Sequence, residues 1–151
     1  MKGMTLIVKT ITDFVVAFIM VFGAYIVLYG HLTPGGGFAG GVIVACGFIL
    51  LMLAHGRDAA FSKLPERTAH IFDSAGAIAF LLIGWLGMMG GFFFLNMFGR
   101  GQMFRLLSSG MILPLNIAIA FKVGSSLFLV FAALAMFRRR SFRAMIEEEL
   151  S

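Results

Sequence analysis

Lys122 stands in an otherwise apolar stretch, eleven residues after Met111 and fifteen before Phe137. At a helical rise of about 1.5 Å per residue, the residue lies about 16 Å from one end and about 22 Å from the other. A charge near mid-membrane costs about 2.5–3.5 kcal/mol on insertion scales, so it meets a partner or a hydrated path. Two roles stand open: a station that carries protons along an ion path, or half of a structural pair with an acid on a neighbouring subunit. Ala118, Ser125 and Ser126 fall on its helical face. Asp13 is the second charge within an apolar run, and Lys9 one turn earlier is its expected partner, snorkelling to the surface. A direct Asp13–Lys122 bridge is disfavoured, because their depths differ by about 10 Å. Asn116 could join helices by a hydrogen bond. His31, at the opposite surface, fits turn stabilisation better than proton relay. Asp73 reads as an ordinary carboxylate at the membrane entrance.

This inventory excludes most enzyme chemistry. No nucleophile–base pair, metal-ligand cluster or phosphate loop is legible, and no bound cofactor is expected. Cys46 is the only cysteine, so an internal disulfide is impossible, and it is expected as a small core residue. The net charge of +5 belongs to residues beside apolar runs, which fits lipid headgroups rather than nucleic acid.

The elements that must position these side chains follow from the composition. Hydrophobic residues make up 60% and charged ones 13% of the 151 residues. Soluble domains carry about 25% charge, so this chain could not cover a water-facing surface. Polar residues gather between long apolar runs, and none of the runs alternates as a barrel strand does. The expected fold is therefore all-α and polytopic: one membrane domain over 1–151, with transmembrane helices at about 5–29, 38–54, 74–98 and 111–137. Short connections imply antiparallel sequential neighbours. Pro65 fits the first turn of a helix already begun before Asp73. After Phe137 a short helix is expected to leave the membrane. The first apolar run is too long for the core of a cleaved signal peptide and is expected to stay.

Glycines recur at helical spacing: Gly36, Gly40 and Gly47 with Gly37 and Gly41 beside them, then Gly76, Gly84, Gly87 and Gly91. Small residues let helices approach closely in lipid. The densest cluster runs from Gly30 to Gly41, where Pro34 stops a helix and three glycines follow it.

Gly30-His31, then Pro34-Gly35-Gly36-Gly37-Phe38 and Gly40-Gly41, resembles the signature of the MnhB family, the B subunit of Mrp-type Na⁺/H⁺ antiporters. Asn116, followed by Lys122-Val123-Gly124, resembles a second stretch of that family. The resemblance covers nearly the whole chain. It implies a multi-pass subunit of a prokaryotic plasma membrane, partnered by other Mrp-type subunits and transporting Na⁺ and H⁺ as a complex. Homologues in membrane-bound hydrogenases and related respiratory assemblies imply redox subunits as alternative partners. Lys122, Asp13, Asn116 and His31 are then the candidates for an ion path.

Orientation follows from the basic residues. Lys2, Lys9, Arg57, Lys63, Arg67, Arg138, Arg139, Arg140 and Arg143 fall on one side, nine of the twelve Lys and Arg, while Arg100 and Arg105 fall on the other. The positive-inside rule places the nine, and both termini, in the cytoplasm. Cysteines introduced at Ser62 and Ser151 should be shielded from an impermeant thiol reagent in intact cells, while one at Gln102 should label; the opposite pattern inverts the topology.

Overall fold

The computed structural model describes residues 4–32, 34–95 and 109–149, with side chains to 137. Its elements are helices: α1 Leu6–Tyr29, α2 Gly36–His55, α3 Arg57–Lys63, α4 Glu66–Met88 and α5 Ile112–Glu149. Four are long and apolar enough to cross a membrane: α1, α2, α4 and the Ile112–Phe137 part of α5. The first two expected spans are correct to within two residues. The chain is an all-α, four-span membrane protein.

The third span differs from its expected 74–98. It starts directly after Pro65, whose extended ψ of 142° ends the preceding connection, and it stops at Met88. The helix already begun before Asp73, which Pro65 implies, is present: Glu66 to Asp73 are helical and belong to the same element as the span. Beyond the Met89 cap, Gly91 takes φ 110° within the turn that follows the helix. The chain then folds back, so that the Phe94 amide donates to the Gly84 carbonyl at 3.2 Å. Phe94 itself has φ 62°, a strained left-handed conformation for an aromatic residue. Gly84 and Gly87 therefore receive the rings and backbone of Phe93, Phe94 and Leu95 rather than a neighbouring helix. Residues 96–98, and the expected connection up to Ser108, lie outside the described residues. The tail also differs: no separate helix follows Phe137, because α5 runs on unbroken to Glu149.

Packing follows the order α1–α2–α5–α4, so α5 sits between α2 and α4. Sequential spans are thus not all neighbours, because α3 and its flanking turns carry the chain past the slot that α5 fills. The Met4 amide donates to the Ala54 carbonyl at 2.9 Å, which fixes the start of α1 beside the end of α2. At that same end Phe128 is fully buried, its ring 5.8 Å from Phe48 and 5.6 Å from Phe61. Met52, Ala60, Leu64, Ala69 and Ala132 complete this cluster, which ties α2, α3, α4 and α5 together. Cys46, expected in the core, is exposed on α2. The glycine face of α2 that packs inward leaves it on the outer side.

The two glycine lines of α2 divide the work. Gly40 lies against Val27 and the Gly23 carbonyl of α1, while Gly41 lies against Ala120 of α5. A methyl group on Gly41 would stand 2.9 Å from the Ala120 carbonyl oxygen, inside contact distance of a backbone that cannot swing away. At Gly124 the nearest neighbour of such a methyl is 3.4 Å off, an ordinary contact. Gly41→Ala should therefore lower the thermal stability of the solubilised protein by about 1–3 kcal/mol. Gly124→Ala should be neutral or slightly stabilising, since alanine favours the helix. Equal losses for both would refute this account of the α2–α5 contact.

Candidate functional site: an ion pair at membrane depth

The site is built where α4 and α5 approach most closely. Gly76 lies against the backbone of α5; a methyl there would come within 2.8 Å of both the Ala118 carbonyl oxygen and the Lys122 backbone nitrogen. Asp73 precedes Gly76 by three residues and so lies on the same face, pointed at α5. Side chains lean toward the N-terminus of their own helix. In this antiparallel pair Asp73 leans toward Ser126, and the long Lys122 side chain reaches back to it. Their groups meet: Lys122 Nζ donates to Asp73 Oδ1 at 2.6 Å. Ser126, one turn beyond Lys122, donates its hydroxyl to the same oxygen.

Depth makes this pair unusual. Asp73 lies seven residues into α4, about 10 Å from its start. Lys122 lies ten residues into α5, about 15 Å from its start. Neither is enclosed by this chain: the side chains keep 24% and 43% of their surface exposed for Asp73 and Lys122. Phe72 and Phe121, the sequence neighbours of the two charges, pack ring to ring at 5.2 Å beside them. The structural alternative for Lys122 was an acid on a neighbouring subunit, whereas the structure supplies one from within the chain. Asp73, read from sequence as an ordinary interfacial carboxylate, is that acid. A signal for it existed: three residues before Gly76, it sits on the glycine face that must meet a neighbouring helix. Of the residues on the Lys122 face, Ser126 joins the pair, Ala118 is buried near Gly76, and Ser125 donates to the Phe121 carbonyl of its own helix.

The other candidates sit elsewhere. Asp13 does not pair with Lys9. Its carboxylate lies 3.4 Å from His55 Nε2, with 60% of the side chain exposed. His55 closes α2 and leans back along it, while Asp13 leans toward the start of α1, so the two converge. The sequence reading gave His55 no role. Asp13 and Lys122 thus hold different partners, as their depths required.

Near the opposite end of the bundle, Gly35 and Gly36 have φ 136° and 64°, and Gly30 and Gly36 lie backbone to backbone. The motif therefore folds as a tight turn. Asn116 of α5 fills the notch beside it: its backbone lies against Gly37 and its side chain against Gly30 and Gly36. The Asn116 Nδ2 and both ring nitrogens of His31 are buried without hydrogen-bond partners among the described residues. Pro34 and Phe38 are exposed, while Gly37, Gly40, Gly41 and Gly124 are buried.

A polytopic helical membrane protein with a charge pair set between two spans is the class this geometry defines. The chain belongs to the family of domains related to the MnhB subunit of Na⁺/H⁺ antiporters, whose model matches residues 7–129 and so includes both Asp73 and Lys122. It is 38% identical over 112 residues to protein MJ1307 of Methanocaldococcus jannaschii, covering 67% of this chain and 41% of that protein. It is 40% identical over 65 residues to a protein designated antiporter subunit mnhB2 of Staphylococcus aureus (strain Newman), covering 43% of this chain and 46% of that one. The chain thus spans less than half the length of either relative. Among solved structures, a chain of the membrane-bound sulfane sulfur reductase, an archaeal respiratory membrane complex, superposes with a TM-score of 0.72 at 29% identity. That match covers 85% of this chain and 59% of the other.

Proposed function

We propose that this protein is a subunit of a multi-subunit membrane complex that exchanges Na⁺ for H⁺, and that the Asp73–Lys122–Ser126 cluster lies on its ion path. The observation that carries the reading is a charge pair at membrane depth that this chain leaves partly uncovered. Lipid is a poor neighbour for such a pair, whereas a partner subunit or a water-filled cavity suits it. Lys122 is the group that can exchange a proton, Asp73 holds it in place, and Ser126 fixes the carboxylate. The apolar surfaces of α1 and α4 leave room for partner helices and lipid. A second reading, an antiporter-like module inside a respiratory redox complex, draws support from the solved neighbour. In both readings the redox or driving chemistry belongs to other subunits, and topology with both termini in the cytoplasm follows from the basic residues.

The test is ion transport in native membranes, normalised to assembled complex on native gels. Lys122→Ala should reduce transport by roughly tenfold or more, the scale of a lost positioned proton carrier. Lys122→Arg should rescue poorly, because a guanidinium keeps its charge and cannot pass a proton on. Normal transport by an assembled Lys122→Ala complex would reduce the cluster to scaffold.

A further inference from the structure

A groove of about 540 Å³ runs between α1 and α2 and is floored by α3, away from the Asp73–Lys122 pair. Its α1 wall is Asp13, Val16 and Met20, and its α2 wall is Phe48, Leu51 and His55. These positions follow helical spacing, so each wall is a stripe about 10 Å long parallel to the spans. Polarity is graded along that axis. Asp13 and His55 stand at the α3 end, where Ser62 and Lys63 add to them, and the remainder of both walls is apolar. A soluble ligand has no use for a greasy slot running into the bilayer. A lipid is built on that gradient, with its headgroup at the boundary and its chain along the spans.

The charges narrow the headgroup. A plain anionic lipid would gain from Lys63 and suffer from Asp13, while a choline headgroup has no N–H to give a carboxylate. Asp13 is largely exposed, and its contact to His55 Nε2 at 3.4 Å leaves acceptor capacity for an ammonium. Lys63, at the C-terminus of α3, supplies the matching cation for a phosphate. We propose that this groove is a phospholipid site, in which the primary ammonium of a phosphoethanolamine headgroup meets Asp13, its phosphate meets Lys63, and one acyl chain lies along Val16, Met20, Phe48 and Leu51. The proposal does not rest on the Asp73–Lys122–Ser126 cluster, to which none of these residues belongs, and it gives Asp13 a role other than the ion path.

The complex containing this chain, extracted in mild detergent from membranes of mixed phosphatidylethanolamine and phosphatidylglycerol, should carry phosphatidylethanolamine above its share of the bulk membrane. Asp13→Asn should lower that enrichment by about fivefold, the effect of one charged contact near a membrane surface. Asp13→Lys should exchange the preference for phosphatidylglycerol, a gain that misfolding could not mimic. Met20→Trp, which fills the apolar part, should lower retention of both lipids. Absence of enrichment in the wild type, or enrichment unchanged by Asp13→Asn and Met20→Trp, would overturn the site. So would cross-linking of a cysteine at Ala17 to another protein chain, which would make the groove a subunit contact.

Discussion

The arrangement depends on one constraint: a lysine ammonium placed well inside the membrane must have its charge answered there. Asp73 provides that answer from the facing helix, with the Lys122 ammonium 2.6 Å from its carboxylate. The pair is net neutral, which removes most of the penalty of inserting either charge alone. It also fixes α4 against α5 in register and in rotation, since a shift of one residue would swing either group off the shared face. Gly76 permits this, because only a residue without a side chain allows the two backbones so near at that point. Charge and glycine are thus two halves of one contact.

The same logic repeats along the row of helices. Gly40 admits α1 and Gly41 admits α5 on adjoining sides of α2, and the tight turn at Gly30–Gly36 leaves a notch that Asn116 of α5 occupies. Helices that gain nothing from water exclusion must gain from closeness, and backbone contacts of this kind provide it. The aromatic cluster around Phe128 does the complementary job at the α3 end, where the connections meet. Among the described residues, the outward surface carries charge at the Asp73–Lys122 pair and at the mouth of the Asp13–His55 groove, among other places.

Much of this was legible in the sequence. Apolar length fixed the number of spans and the first two boundaries, because bilayer thickness and helical rise leave little freedom. Hydropathy set the third span at 74–98; Pro65 already implied a helix begun before Asp73, whereas the apolar run on to Phe98 hides the stop at Met88. Lys122 stood out as a charge in a long apolar run, but its partner did not. Asp73 lies near a helix start, where carboxylates are commonplace, and only the neighbour order α5–α4 turns it inward. Antiparallel sequential neighbours already put α5 beside α4, but nothing in composition says that α5 also enters between α2 and α4. Asp13 was paired with Lys9 on local spacing alone; His55 wins because two antiparallel helices tilt their side chains toward each other. Spacing along one helix is readable in a sequence, and juxtaposition between helices is not.

The central claim is that Asp73 and Lys122 answer each other, and double-mutant thermal unfolding of the assembled complex measures it most directly. Removing one member leaves a lone charge at depth, so Lys122→Met and Asp73→Leu should each lower stability by about 1–3 kcal/mol. Replacing both should recover most of that loss, because two apolar side chains of similar size need no partner. Losses that simply add in the double variant would mean that the two residues do not act as a pair, and the account of the α4–α5 contact would fail.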